Sequence, residues 1–304
     1  MSLKCPLCNA HDIVYFTEAI DYMNLKNDKL YHAYKCNHCN LLFQYPFPKP
    51  EEFNSMYMDN YYAHVEDNNL PFVLRYLDSL LKGDFKSKIY SPLKKSLYPY
   101  FSILQDANKI LDIGCGKGLF LDVMKNNGKE TYALEPNVNA ANILQKKGHN
   151  TVQGFISDSN FEENYFELVT GFQVFEHIDD PDSFLQGIYK ILKPNGYFII
   201  EMPNGESNQA KNKKFWVNLD LPRHVLLHSP KSIISLAKKY NFEISVLTRV
   251  SPSDIKITYF RKHNINSPLK QKIYSYLLLP KILYQYIFKS SKGSLLIAIL
   301  KKPN

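Results

Sequence analysis

From residue 109 onward, short apolar runs alternate with stretches in which apolar residues recur every three or four positions. Apolar runs bounded by turn residues are typical of buried parallel strands, and the longer spacing is typical of amphipathic helices. Strands are predicted at 109–113, 131–134, 151–153, 166–174, 197–202, 242–250 and 295–300, and helices at 119–127, 138–147, 182–192 and 229–240. The pattern predicts an α/β fold with a doubly wound, Rossmann-like seven-stranded sheet whose last strand is antiparallel.

The first of these strands runs into three glycines, Gly114, Gly116 and Gly118. Glycines at such a junction allow a tight turn and a close approach of a ligand to main-chain N–H groups. Asp112, at the end of the strand, would repel a pyrophosphate but suits an ammonium group. Glu135 ends the next strand, where an acid can accept hydrogen bonds from both ribose hydroxyls. An amine, a ribose and no phosphate describe S-adenosylmethionine (SAM); an NAD site and a ligand-free glycine turn are the alternatives.

At these residues the chain resembles the class I SAM-dependent methyltransferases, whose first motif is an acid followed by G-x-G-x-G. Residues 175–181 and 192–204 resemble that family's fourth motif and the motif after it. Residues 222–230 resemble the loop that precedes the next helix in many small-molecule members. The resemblance covers residues 108–250 well and the first third of the chain loosely.

The resemblance implies a role for each matching residue. Asp112 would hold the ammonium of SAM, the three glycines would admit its methionine half, and Glu135 would hold its ribose. Gln173 would line the methionine side, although a Gln that only satisfies the backbone is the alternative. No clear acid ends the third strand, so the adenine contact is left to Asp158 or to the backbone.

Methyl transfer from a sulfonium requires alignment, exclusion of water and, for a hydroxyl acceptor, removal of a proton. His224 is the first candidate for the base, because it lies in a loop at the carboxyl end of the sheet and an imidazole accepts a proton near neutral pH. His177, beside Glu176, is the second candidate. Arg223 could hold a phosphate or carboxylate of the substrate. A purely structural role is the alternative for both histidines.

Four of the five cysteines fall in the first forty residues, as two C-x-x-C pairs: Cys5 and Cys8, Cys36 and Cys39. This spacing is typical of a zinc ribbon, in which each pair donates two thiolates. The segments 13–16 and 31–34 have the character of hairpin strands that would bring the pairs together. Histidines at 11, 32 and 38 could substitute as ligands, but four cysteines complete a site. We expect a structural zinc with no open position for chemistry.

These patterns predict three regions. Residues 1–45 form the zinc-ribbon domain, and 46–107 form an aromatic connector and helical cap, with a helix start at 50–53 and helices at 71–81 and 92–104. The connector contains Tyr61-Tyr62, and in many related proteins a similar Tyr-Tyr stretch caps the cofactor pocket. Residues 108–304 form the SAM-binding methyltransferase domain, with a basic helical insertion at about 252–293.

The formal net charge of +8 is concentrated near the end of the chain: residues 256–304 contain ten Lys or Arg and no Asp or Glu. Within them, 268–289 is rich in Leu, Ile, Tyr and Phe, and Pro280 should divide it into two short helices. The segment suits an interfacial helix at an anionic membrane, while packing on the protein's own core or across a dimer is the alternative. No secretory leader or membrane span is predicted, so we expect a cytoplasmic protein with peripheral contact at the inner membrane face.

The methyl acceptor predicted from the sequence is a small molecule. We expect the methylated group to be a hydroxyl of a sugar or of a lipid-linked glycan precursor, which would place the protein in carbohydrate biosynthesis. Carbon methylation of a ketosugar or aromatic ring is the alternative. The four-cysteine start also resembles that of deoxysugar C-methyltransferases, but those carry a longer C-terminal half that is missing here. A nucleic-acid binder or modifier is the alternative of another class. It is disfavoured because Lys and Arg barely offset the acids of the cysteine-rich segment. The sequence leaves the oligomeric state open.

Overall fold

A computed structural model describes residues 3–24, 28–49, 52, 71–83, 98–288 and 290–304. The predicted helix start at 50–53 (apart from Glu52), the Tyr-Tyr stretch and the first part of the predicted helix at 92–104 lie outside these residues. Among the described helices, none is both long and apolar enough to cross a bilayer.

Within the described residues the chain forms two sheets. The strands are β1 (Ile13–Ala19), β2 (Tyr31–Cys36), β3 (Leu42–Gln44), β4 (Lys109–Ile113), β5 (Glu130–Glu135), β6 (Asn150–Gln153), β7 (Phe166–Phe172), β8 (Leu192–Pro203), β9 (Leu226–Leu227), β10 (Glu243–Arg249) and β11 (Leu295–Lys301). The seven-stranded sheet has the order β10-β11-β8-β7-β4-β5-β6. Strand β11 is antiparallel to both neighbours, and the pairs among β4 to β8 are parallel. This confirms the predicted fold class.

The helices follow the strands in the predicted alternation. They are α1 (Phe72–Lys82), α2 (Phe101–Asp106), α3 (Leu119–Asn126), α4 (Val138–Lys146), α5 (Pro181–Ile191), α6 (Pro230–Lys239), α7 (Pro252–Lys262), α8 (Pro268–Leu277) and α9 (Leu279–Phe288). Several begin where side chains satisfy the first free N–H groups: Asn137 caps α4, Asp180 caps α5, and Ser229 forms a capping box at α6.

Adjacent residues of a strand supply opposite faces of the large sheet. Ile110 of β4 packs in one apolar cluster with α1, α2 and α3, whereas Leu111 packs in another with α5 and α6. Both Ile110 and Leu111 are fully buried, because parallel sheets are covered on both faces. The two-sided burial explains why the strands read as apolar runs, and it leaves the carboxyl edge of the sheet as the place for polar side chains.

The N-terminal sheet has the order β1-β2-β3-β9, so it is completed by a strand from the far part of the chain. Leu42 and Phe43 of β3 pair with Leu227 and Leu226 of β9. The predicted hairpin is present as the antiparallel pair β1–β2. The cysteine-rich segment, called the head below (residues 3–49), is therefore built into the same backbone hydrogen-bond network as the loop that precedes α6.

Between β10 and β11 the chain inserts α7, α8 and α9. The predicted division into two short helices is observed, with Leu278 between α8 and α9 and Pro280 in the first turn of α9. A proline is accommodated there because the first N–H groups of a helix have no partner within it.

Candidate active site and metal centre

The glycine turn after β4 adopts backbone angles that a side chain would oppose. Gly114, Gly116 and Gly118 all have positive φ, at 59°, 52° and 73°. A Cβ on Gly114 would lie 2.7 Å from the Val174 side chain, and one on Gly118 would collide with Leu144. Gly118 immediately precedes α3, so the turn lies at the amino end of that helix. Glycine at these two positions therefore allows Val174 and Leu144 to pack closely against the turn.

Asp112 is buried at the end of β4, opposite Thr170 of β7. The Thr170 hydroxyl donates a hydrogen bond of 2.6 Å to Oδ1 of Asp112. Among the described residues no donor contacts Oδ2. Burial, with a contribution from the nearby Glu135, raises the pKa of Asp112 to about 7. A carboxylate in this position would be stabilised by an added cation.

Glu135 is buried at the end of β5 and is held by the backbone. Gly116 N–H donates to its Oε2 at 2.8 Å, and Asn137 N–H donates to its Oε1 at 3.0 Å. These bonds fix the carboxylate beside the glycine turn, so Asp112, the three glycines and Glu135 form one site at the carboxyl edge of the sheet.

Gln173 follows β7 directly and has a positive φ of 58°. Strand β7 therefore ends two residues before the predicted limit of 174. The backbone N–H of Gln173 donates to Glu201 O at 2.7 Å, and its exposed side-chain amide is 3.4 Å from the same carbonyl. Asp158, the other predicted contact, lies in a 3-10 turn beyond β6, where Ser157 donates to it.

Three polar side chains converge just after β7. The 3-10 turn Phe175–His177 presents Glu176 and His177, and the loop before β9 presents His224. Ligand-capable atoms of the three all lie within 4.8 Å of one another. The two imidazole rings are 4.8 Å apart between centroids, and Nε2 of His224 is 3.9 Å from Oε1 of Glu176.

The hydrogen bonds to carbonyl groups settle the tautomers of the two histidines. Nδ1 of His224 lies 2.8 Å from Asn218 O, and Nδ1 of His177 lies 2.9 Å from Arg223 O. A carbonyl oxygen only accepts, so each Nδ1 carries the proton and each neutral ring has its lone pair on Nε2. Burial lowers the pKa of His177 to about 3 and also lowers the pKa of His224. Both rings are therefore neutral at physiological pH.

Glu176 is 1% exposed, and neither of its carboxyl oxygens has a hydrogen-bond partner within the described part of the chain. Burial raises its pKa to about 8, so the group is a neutral carboxylic acid at pH 7. An unsatisfied buried polar group costs about 1–3 kcal/mol, and such groups call for a ligand or water. Glu176 therefore has hydrogen-bonding capacity that the described part of the chain does not use.

Arg223 does not face a substrate, which makes its predicted role wrong. The side chain is 2% exposed, and it donates to Asp220 at 2.8 and 2.9 Å and to Asp21 of the head at 2.8 and 3.2 Å. Four of the five guanidinium N–H groups thus bind these two carboxylates, and the side chain is buried, so it does not face a ligand. Sequence reasoning did not identify Asp21, because its partner lies 202 positions away.

Thr170 and Asn218 were also missed. Thr170 orients Asp112, and the main-chain carbonyl of Asn218 fixes the tautomer of His224. The only available signal for Thr170 was a polar residue inside an apolar strand. Every residue has a main-chain carbonyl group, so the residue type at 218 could not indicate this contact.

The four head cysteines form a second cluster, with all four Sγ atoms within 4.8 Å of one another. Two Sγ–Sγ distances are 3.6 Å, between Cys5 and Cys39 and between Cys8 and Cys36. These are far longer than a disulfide bond of about 2.05 Å. Four thiolates at about 2.3 Å from a zinc ion have tetrahedral edges of about 3.8 Å, so the cluster fits that ion. Cys115, the remaining cysteine, packs beside the glycine turn.

A family profile described as a methyltransferase domain matches residues 85–246, more than half of the chain. The chain belongs to this methyltransferase family. The seven-stranded sheet is thus that of a SAM-dependent methyltransferase domain.

Individual relatives align with parts of this chain. The ubiquinone biosynthesis O-methyltransferase of Bradyrhizobium sp. (strain ORS 278) is 30% identical over 102 residues, which cover 32% of this chain and 40% of that protein. The C-methyltransferase NovU of Streptomyces niveus is 29% identical over 105 residues, which cover 33% of this chain and 25% of that protein. The alignments thus span less than half the length of these two relatives.

Among solved structures, a SAM-dependent methyltransferase from Archaeoglobus fulgidus superposes with a TM-score of 0.49 at 18% identity. The superposition covers 75% of the methyltransferase and 99% of that chain.

Proposed function

We propose that the protein transfers a methyl group from SAM to a hydroxyl of a small molecule, and that this acceptor is a sugar or glycan precursor. The observation that carries the proposal is the convergence of Glu176, His177 and His224 within 4.8 Å at the carboxyl edge of the sheet. Asp112 of β4 pairs with Thr170 of β7, and the turn carrying Glu176 and His177 follows β7 directly. The proposed cofactor and acceptor sites therefore share one edge.

We assign the cofactor to the site around the glycine turn. Asp112 would receive the ammonium on Oδ2, the glycine turn would admit the methionine half, Glu135 would face the ribose, and Gln173 would line the methionine side from the end of β7. The residues fit such a ligand, because Asp112 is a buried carboxylate with one oxygen left without a described donor. When bound, SAM supplies a methyl group already activated for in-line displacement. The protein's part is to hold both partners in line and to exclude water.

His224 is the proposed base. Its Nδ1–H is anchored on Asn218 O, so Nε2 is the atom that takes the proton from the acceptor hydroxyl. The proton would pass from the acceptor oxygen to Nε2 as the carbon–oxygen bond forms and the carbon–sulfur bond to the methyl group breaks, with neutral S-adenosylhomocysteine as the leaving group. It would remain on Nε2 until it exchanges with solvent. His177 lies against the same ring and is the second candidate.

Glu176 supports the assignment to a hydroxylated acceptor. As a neutral acid it offers both a donor and an acceptor, and its oxygens have no described partner. Together with two imidazoles it can hydrogen-bond neighbouring oxygens of a single acceptor, which suits a sugar. The O-methyltransferase name of the Bradyrhizobium relative is consistent with a hydroxyl acceptor.

Carbon methylation of a ketosugar or aromatic ring is the second candidate, and the similarity to the C-methyltransferase NovU favours it. The same imidazole would then remove a proton from a carbon next to a carbonyl, and Glu176 could donate a hydrogen bond to the developing oxyanion.

We also propose a structural zinc ion in the head, held by Cys5, Cys8, Cys36 and Cys39. The four sulfur atoms and the 3.6 Å edges between them support this assignment. Four protein ligands leave no position for a substrate, so the ion would stabilise the head and take no part in methyl transfer.

The test uses SAM labelled in its methyl group with a panel of nucleotide-linked sugars and their keto derivatives. Incorporated label, followed by NMR of the product, distinguishes an O-methyl from a C-methyl group. We expect transfer to a hydroxyl that His224→Ala slows on the order of a hundredfold or more. His263→Ala, at an exposed histidine in the turn after α7, should leave the rate unchanged. Label found only on carbon would reject O-methylation and support C-methylation, the second candidate function. No transfer to any of these acceptors, by protein shown to bind S-adenosylhomocysteine, would reject the proposed acceptor class.

A further inference from the structure

Helices α8 and α9 present a set of exposed apolar side chains to solvent. We call it the α8–α9 face and define it by the exposed residues Leu269, Ile273, Tyr276, Leu277, Leu279, Leu283, Tyr284, Tyr286 and Phe288. Three of them, Leu269, Leu277 and Phe288, are 66–68% exposed. Scattered exposed apolar residues are ordinary, but nine within the twenty positions 269–288 mark a contact surface.

Helix α9 and the junction between the two helices are packed on the protein, whereas no residue of α8 is fully buried. Leu278 and Ile282 are buried against Val250 and Ile255. The ring of Tyr274 in α8 lies 5.8 Å from the ring of Tyr259 in α7. The inward stripe repeats at the spacing of one helix turn, so the remaining apolar residues are directed outward. The helices are therefore held on the protein by one side while the other side stays open to a partner.

The charged side chains of α8 and α9 themselves have a single sign. Lys270, Lys272 and Lys281 are exposed within the two helices, and residues 256–304 contain no Asp or Glu. None of the three lysines takes part in an ion pair found among the described residues. A partner of opposite charge would therefore find these cations available.

We propose that the α8–α9 face binds the surface of an anionic lipid bilayer. Leu, Ile and Phe would enter the boundary between headgroups and acyl chains, the tyrosines would lie at headgroup level, and the lysines would contact the anionic headgroups. A second copy of the chain is a poorer occupant, because pairing two such faces would bring six lysines together with no acid from either pair of helices. The proposal stands apart from the identity of the methyl acceptor.

The experiment is co-sedimentation of the full-length protein with vesicles, either of phosphatidylcholine alone or with one third phosphatidylserine. We expect binding to the anionic vesicles at low salt, weakened at least tenfold at about 0.5 M salt because exposed charges are screened within a few ångströms there. Leu277→Gln with Leu283→Gln should weaken binding at least tenfold. The matched control is Leu247→Gln, an exposed leucine on β10. Lys270→Gln with Lys281→Gln should remove the preference for anionic lipid, whereas Lys146→Gln at an exposed position on α4 should not.

Two further measurements keep the outcomes distinct. The buried Trp216, the single tryptophan of the chain, reports whether each variant is folded. A tryptophan placed by Leu283→Trp should shift its emission to the blue on anionic vesicles if that position enters the bilayer. Folded wild-type protein that stays in the supernatant with both vesicle types at low salt would overturn the proposal. So would sedimentation equilibrium showing a dimer that Leu277→Gln with Leu283→Gln converts to a monomer, in protein that does not bind vesicles.

Discussion

Arg223 binds Asp21 through two guanidinium nitrogens, at 2.8 and 3.2 Å, across 202 positions of sequence. Asp21 belongs to the head, and Arg223 directly precedes His224. Strand β9 pairs with β3 of the head two residues further on, and the Ser229 hydroxyl donates to the carbonyl of Cys39 at 3.1 Å. The loop that carries the proposed base is therefore fixed by the head on both of its sides.

The first prediction concerns this ion pair. Asp21→Asn should lower the free energy of unfolding by about 2 kcal/mol, the low end for a broken buried charge pair, because Asp220 still neutralises Arg223. If the pair also positions His224, kcat should fall while the affinity for S-adenosylhomocysteine is unchanged, and Asp21→Glu should restore part of the rate. The control is Asp28→Asn, an exposed acid of the head. Lost stability with an unchanged kcat would reduce the pair to a purely structural role.

The second prediction concerns the base. His224→Ala should lower kcat on the order of a hundredfold or more without weakening S-adenosylhomocysteine binding, because it removes the proton acceptor and leaves the glycine turn intact. Since burial lowers the pKa of His224, the acid limb of the wild-type rate profile should lie below the ordinary histidine value of 6.5. A rate that is preserved in His224→Ala and lost in His177→Ala would move the role to the second histidine.

The third prediction concerns Asp112. Its pKa of about 7 means that binding a cationic amine must first deprotonate it when the pH is lower. Calorimetry should therefore show S-adenosylhomocysteine affinity falling by up to about tenfold per pH unit below pH 7. Asp112→Asn should bind weakly and lose this dependence, while Asp158→Asn serves as the control if the backbone supplies the adenine contact. Affinity that does not change between about pH 5 and pH 8 would contradict the assignment.

The fourth prediction concerns Glu176 and stability. Its pKa is about 8 in the folded protein against an ordinary 4.5, so the fold favours the protonated acid. Its contribution is fully present below pH 4.5 and is lost as the pH rises toward 8. Chemical unfolding should thus show Glu176→Gln to be more stable than wild type at about pH 8 and closer to it at about pH 5. A difference that is the same at both pH values would show that Glu176 is not buried as the neutral acid.

The fifth prediction concerns the metal. Purified, reduced protein should contain about one zinc ion per chain, and Cys36→Ser should release it and unfold the head, because binding energy at such a site is largely folding energy. Cys115→Ser is the matched control and should keep its zinc. Since β9 pairs with the head, removing zinc should also increase amide exchange at residues 224–227. Elemental analysis that finds no zinc in chelator-free protein would reject the site.

The sequence by itself determined the large sheet, because its signals are local. Buried parallel strands read as apolar runs, and the limits of β4 agree with the predicted 109–113. The glycine turn was equally readable, since Gly114 and Gly118 occupy backbone conformations and spaces that other residues would strain or fill. The two C-x-x-C pairs predicted the sulfur cluster through spacing alone.

Only the tertiary structure decided what depends on burial and on distant neighbours. The sequence suggested that Arg223 contacts the substrate, whereas in the fold its guanidinium is buried and donates hydrogen bonds to Asp21 and Asp220. Glu176 looked like an ordinary acid beside a histidine, and its pKa of about 8 follows from desolvation that only the folded environment imposes. The head is completed by β9, a two-residue strand too short to have a pattern of its own. A side chain's charge state and partners are set by the dielectric and geometry around it, and these come from residues far along the chain.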